Sequence, residues 1–208
     1  MPESPPRLLL VSPLLQDPAA AKNLSEALEA SAEFDIAALL LRGGGLDDNT
    51  LGARIAPVVP AAQARDIAVL LEDRPALLEP SGADGLHLTL AGKASPLKDL
   101  RRRLGDGVIL GAGCGASRHL AMTAGEQGAD YIGFGEPEGV AADPEVVAWW
   151  EAVMTPPQVA FGAADLEQAR SLARAGADFL AVGPALWLAD DDPAAALRNL
   201  LSSLAEPA

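Results

Sequence analysis

Gly82-Ala83-Asp84-Gly85-Leu86-His87-Leu88, Gly128-Ala129-Asp130-Tyr131-Ile132-Gly133-Phe134-Gly135 and Gly176-Ala177-Asp178-Phe179-Leu180-Ala181-Val182-Gly183 are three copies of one phrase. Their starts lie 46 and 48 residues apart, the length of two strand-plus-helix units each. In each copy a glycine can close a helix by taking the left-handed conformation and an Asp turns the chain. A short apolar run then enters a buried parallel strand.

Outward from these phrases, apolar runs at 8–12, 36–41, 67–71, 85–88, 108–112, 131–134, 159–161 and 179–182 read as eight strands. Helices fall between them. One follows Pro18 to about residue 30; those at 117–127 and 165–175 open on a capping residue and end at Gly128 and Gly176. The segment 47–65 is helical in composition, but Pro57 and Pro60 should kink or split it. The last helix, 192–204, is opened by Pro193. Strands that alternate with helices demand a mostly parallel sheet, either open and doubly wound or closed. Eight evenly spaced units favour closure, so the expectation is a single-domain (β/α)8 TIM barrel with a core at about 8–204.

A chain of 208 residues, half of them hydrophobic, can bury such a core as one domain. A formal net charge of −14 repels phosphate backbones and anionic lipid, making nucleic acid and membrane poor partners. The basic cluster Arg101-Arg102-Arg103 lies near a helix end, where cations favour the dipole. The single cysteine, Cys114, excludes an intramolecular disulfide framework and supplies no metal cluster. Residues 1–7 are acidic and Pro-rich, without a basic and then apolar leader, and no run is long enough to span a bilayer. A soluble, cytoplasmic protein is expected.

The reactive face of such a barrel is the rim where strands end and loops lead into helices. In this chain glycine dominates that rim. Gly162 and Gly183 can present backbone amides to an anion, and a short helix beginning near Pro184 would aim its positive end at it; tight-turn glycines without a ligand are the alternative. Ala163 and Pro184 belong to the same cup, where Pro184 has no N–H to offer. Glu72 and Asp73 are adjacent on a strand end, so their side chains should diverge. Asp73 with Arg74 reads equally as a rim ion pair. His87, among apolar neighbours, reads as a packed, hydrogen-bonded histidine, His119 as solvent-facing and Cys114 as a small buried filler. Trp149, Trp150 and Trp187 either pack helices or form an interface.

The ordered set LLLVS from Leu8, LLLR ending at Arg42, LLEDR ending at Arg74, GADGLHL, ILGAGC, GADYIGFG, VAFG, and AGADFLAVGPAL followed by DDP resembles thiamine phosphate synthase and its thiazole tautomerase relatives. The resemblance runs from about residue 8 to 201. It implies an enzyme that joins a pyrimidine methyl pyrophosphate to a thiazole phosphate and releases pyrophosphate with Mg2+ assistance. It also implies a small phosphorylated partner molecule and, as relatives of this type often pair, a homodimer. Arg42 and Arg74 are then the implied side chains near the leaving group, Asp73 the implied metal carboxylate, and Gly162 with Gly183 the phosphate end. Glu136 stands where the tautomerase relatives carry a proton-shuttling histidine, so it reads either as a general acid/base or as an exposed loop glutamate.

Against the family pattern, Leu40-Leu41-Arg42-Gly43-Gly44 replaces Gln-Leu-Arg-x-Lys, keeping the arginine but losing the amide and the lysine. Glu72-Asp73-Arg74 replaces Asn-Asp-Arg. Thr89-Leu90-Ala91-Gly92 replaces Gly-Gln-x-Asp, placing Gly92 at the second metal carboxylate. Gly113 replaces a serine, and Glu136-Pro137-Glu138-Gly139 lacks the expected Thr-x-Thr and lysine. The implied outcome is a depleted synthase site with a weakened Mg2+ centre. The alternatives are a non-catalytic phosphate-binding or regulatory barrel, or a tautomerase-like isomerase.

Overall fold

In a computed structural model that describes residues 5–31, 33–90, 95–188 and 192–205, eight strands close into a barrel in the order β1 to β8. They are β1 (Arg7–Leu14), β2 (Ile36–Arg42), β3 (Ala68–Glu72), β4 (Gly85–Thr89), β5 (Ile109–Gly113), β6 (Tyr131–Phe134), β7 (Gln158–Ala160) and β8 (Phe179–Val182). Every neighbouring pair is parallel. The helices are α1 (Pro18–Ala30), α2 (Asp48–Ile55), α3 (Val58–Gln63), α4 (Leu78–Ser81), α5 (Leu97–Leu104), α6 (Arg118–Glu126), α7 (Pro144–Val153), α8 (Leu166–Arg174), α9 (Pro184–Trp187) and α10 (Pro193–Ala205). The segment expected to split does so: Pro57 precedes α3 and Pro60 lies in its first turn, where a missing N–H is tolerated. Among the described residues no helix is long and apolar enough to cross a membrane.

The repeated phrase is a clasp at the foot of the barrel. Gly82, Gly128 and Gly176 take φ values of 70°, 88° and 96°, the left-handed conformation that lets the chain leave each helix. The Asp that follows then binds an amide at the foot of the preceding strand. Asp84 Oδ2 accepts from Val69 N at 2.7 Å, Asp130 Oδ2 from Leu110 N at 2.7 Å, and Asp178 Oδ2 from Gln158 N at 2.8 Å. Asp84 and Asp130 also donate their own amides back to Val69 O and Leu110 O, both at 2.8 Å. Each clasp joins two strand feet through a charge-assisted bond, the stronger kind. Arg101 braces the second, 2.5 Å from Asp130 Oδ2 and donating to the carbonyls of Gly105, Val108 and Gly128. Arg102 pairs with Asp99. The first two arginines of the basic cluster are thus engaged within the fold.

Alternation along the strands makes two cores. One lies between strands and helices, and the other fills the barrel with Leu9, Val11, Ala38, Leu40, Leu70, Tyr131, Val159, Phe161 and Ala181. His87 completes the inner core, only 1% exposed. Its Nδ1 lies 2.8 Å from Tyr131 Oη, and its ring stacks on Tyr131 and tilts against Phe161. Glycines on the inner faces of β5 and β6 make the room. A Cβ at Gly113 would sit 2.8 Å from His87 Nε2, and one at Gly133 would sit 2.9 Å from Phe161 Cε2.

Burial pushes the His87 imidazole down from 6.5 to about 4. Between those values the unfolded chain binds a proton that the folded chain refuses, so stability is fully present above pH 6.5 and declines as the pH falls towards 4. At 1.36 kcal/mol per unit, this one group should cost about 3 kcal/mol across the window. Urea unfolding at pH 7 and pH 4 should show His87→Gln losing distinctly less stability than the parent. Equal losses would refute the assignment.

Candidate active site

The inward series of two adjacent strands ends at the mouth in an ion pair. On β2 it runs Ala38, Leu40, Arg42, and on β3 Ala68, Leu70, Glu72; the register Leu41↔Leu71 sets the two terminal residues side by side. Arg42 Nε lies 3.3 Å from Glu72 Oε2, and the two side chains are only 10% and 18% exposed. The Arg42 amide donates to Ser12 Oγ at 3.0 Å, fixing the strand end against β1. Burial raises the Glu72 carboxyl above its ordinary range; Arg42 opposes that shift, while Asp73 and Glu138 add to it.

The third partner comes from the far side. Arg42 Nη2 donates to Glu138 Oε2 at 3.0 Å, and Glu138 stands on the loop between β6 and α7 with 68% of its side chain exposed. This loop is pinned at its base, where Gly135 N donates to Gly115 O and Ala142 N to Phe161 O. Its tip closes on itself through Glu136 N to Val140 O at 2.9 Å. Glu136 itself is exposed.

Glu72 and Asp73 diverge as the strand alternation requires. Asp73 takes φ 51° and turns onto the rim, where its Oδ1 accepts the Thr89 amide at 2.9 Å. Arg74 reaches back to the loop that follows Arg42, donating to Gly44 O at 2.6 Å and Leu46 O at 3.2 Å and lying 3.5 Å from Asp48 Oδ1. Its guanidinium positions that loop. The second metal-ligand position, Gly92, lies outside the described residues. Among the described residues no group of three or more His, Cys, Asp or Glu side chains is placed to hold a metal ion.

At the phosphate end the two glycines differ. A Cβ at Gly162 (φ 79°) would run into Val140 O and Ala141 Cα, so this glycine lets the loop after β6 lie over the end of β7. Ala163 is buried beside it. Gly183 has open space above it and caps α9, whose first residue is Pro184. Trp187 anchors that short helix inside, donating from Nε1 to Val11 O at 3.1 Å. Trp150 packs α7 with its Nε1 on Pro156 O, while Arg118 lies 4.8 Å over the Trp149 ring. Cys114 is buried and its thiol is pushed up to about 12, and His119 is exposed.

The structure therefore brings Arg42 into the mouth, carries Asp73 to the rim, turns Arg74 into a loop brace and leaves Glu136 exposed. Glu138 and Ser12 are the partners that sequence reading missed. Counting the inward positions along β2 and β3 would have found the Arg42–Glu72 pair, whereas Glu138 sits in a loop without periodicity. Chemically, the arrangement is a guanidinium held between two carboxylates, the part-buried Glu72 and the exposed Glu138, within a glycine-rich cup.

A thiamine-phosphate synthase of Rhodospirillum centenum is 42% identical over 201 residues, covering 93% of this chain and 95% of the relative. One of Erythrobacter litoralis is 38% identical, covering 91% and 92% of the two chains. The solved structure of a thiamine phosphate pyrophosphorylase from Pyrococcus furiosus shares the fold with a TM-score of 0.78 at 20% identity, over 96% of this chain and 97% of that one. The family described as Thiamine monophosphate synthase (TMP-TENI) matches residues 9–186. On these matches the chain belongs to the thiamine monophosphate synthase family.

Proposed function

We propose that this chain is a thiamine-phosphate synthase, joining a pyrimidine methyl pyrophosphate to a thiazole phosphate with release of pyrophosphate. The observation that carries the reading is Arg42, a largely buried guanidinium at the mouth end of the barrel interior. In such a coupling the carbon–oxygen bond to the diphosphate breaks with its electron pair leaving on oxygen. The thiazole nitrogen supplies the pair for the new carbon–nitrogen bond. Negative charge grows on the leaving group while no proton has to move, so fixed positive charge matters more than a general base. Arg42 meets that demand once a phosphoryl group takes the place of Glu138, one of the two carboxylates to which its N–H groups donate. His87 and Cys114, both buried with their charged forms disfavoured, stay out of the chemistry.

Asp73 fits the small donor set that Mg2+ asks of a protein when substrate phosphates supply further ligands, because its left-handed backbone turns it onto the rim. When bound, the ion would neutralise charge on the diphosphate. Gly183, open above and leading into α9, suits the thiazole phosphate. Two donors of the family pattern, the amide and the lysine flanking the arginine, are absent from 40–44, so slow turnover is expected. The isomerase alternative needs a proton shuttle, and the position it would use holds the exposed Glu136.

The test is turnover of the full chain with both substrates and Mg2+, following pyrophosphate release and the coupled product by chromatography. Product that requires both substrates and the ion is expected. A folded sample that binds thiazole phosphate but makes no product above background would make this a binding barrel instead.

A further inference from the structure

Strands β2 and β6 lie four places apart in a closed ring of eight, so they face each other across the barrel. The bond from Glu138 to Arg42 therefore straps the mouth from side to side. Its two ends are held very differently. Arg42 is 10% exposed, backed by Glu72 and by the Ser12 hydroxyl beneath its own amide, whereas the Glu138 side chain is 68% exposed on the tip of a loop. That loop is fastened at both ends and turns through left-handed glycines at Gly135 (φ 75°) and Gly139 (φ 105°). Glu138 keeps most of its hydration while paired, and Arg42 retains Glu72 when Glu138 leaves, so release strands neither charge.

We propose that Glu138 is an internal competitor for the anionic group of the substrate, occupying the Arg42 guanidinium across the mouth until a more highly charged phosphoryl group displaces it. A single carboxylate presents one negative charge and two oxygens; a diphosphate presents more of both and can take Arg42 in a two-pronged bond. The strap thereby favours polyphosphorylated ligands over simple carboxylates and covers Arg42 between turnovers. The proposal rests on the reading of Arg42 as the diphosphate-binding residue.

Inorganic pyrophosphate binding, measured calorimetrically on the full chain, tests it. Glu138→Gln and Glu138→Ala should each tighten pyrophosphate roughly three- to thirtyfold, the range spanned by an exposed ion pair and a charge-assisted hydrogen bond. Glu145→Gln, which removes the same charge from the first turn of α7, should change it less than twofold, on the order expected for a screened distant charge. In an Arg42→Gln background the gain from Glu138→Ala should vanish. Unfolding midpoints show whether each variant is folded.

Unchanged or weaker binding in both folded Glu138 variants overturns the proposal, as does a gain that persists without Arg42. If neither parent nor variants bind pyrophosphate, the anion site at Arg42 is refuted and the strap with it. Tighter binding in variants that never turn over would keep the strap and sink the synthase reading. Turnover with affinity indifferent to Glu138 would do the reverse.

Discussion

Arg42→Gln should lower kcat/KM for the coupling by roughly two to three powers of ten, the effect typical of removing one positioned charge stabiliser from a transition state. The residue sits where β2 ends, its backbone bonded to Ser12 and its guanidinium shared between Glu72 and Glu138. Glutamine keeps a polar side chain of moderate length but removes the positive charge and the forked donor set. Arg42→Lys should fall between the two, because lysine restores charge without the planar fork. Pyrophosphate affinity should fall together with kcat/KM, since in the proposed role leaving group and product contact the same guanidinium. Steady-state kinetics with calorimetry on folded variants checks this, and a loss below threefold in Arg42→Gln would remove Arg42 from the machinery.

The barrel was legible because the forces that close it are local and repeated. A glycine behind α4, α6 and α8 and an Asp clasp at each of the three strand feet that follow leave a written signature, and apolar runs of three to six residues mark the strands. The strand read at 159–161 lies at 158–160, a shift of one residue that local apolarity cannot resolve. The site was less legible because it is assembled across the ring. Arg42 and Glu138 are 96 residues apart, and nothing local to either one names the other. Arg74 shows the opposite difficulty: a charged residue beside a metal-ligand candidate reads as catalytic, yet its hydrogen bonds to Gly44 O and Leu46 O make it a brace. Gly162 too serves the overlying loop, which only the fold brings to it.

The glycines inside the barrel make the largest stability prediction. Gly111 has no left-handed backbone to protect, so alanine is conformationally permitted there and even shortens the list of unfolded states. The obstacle is space. A Cβ at Gly111 would fall within the ring of Tyr131, its register partner on β6. Tyr131 cannot easily yield, being 7% exposed, stacked on His87 and bonded to it through Oη. Moving the ring would break that bond inside the core, adding the cost of an unpaired buried hydroxyl to that of overpacking. Gly111→Ala should therefore destabilise by about 3 kcal/mol or more, lowering the unfolding midpoint by roughly 6–12 °C for a chain of this size. Tyr131→Leu, which removes the ring, should lose stability by itself yet accept Gly111→Ala at little further cost, so the two changes should couple strongly. Additive losses would mean that the glycine is required for some reason other than the aromatic ring packed against it, and the account of how this barrel fills its interior would fail.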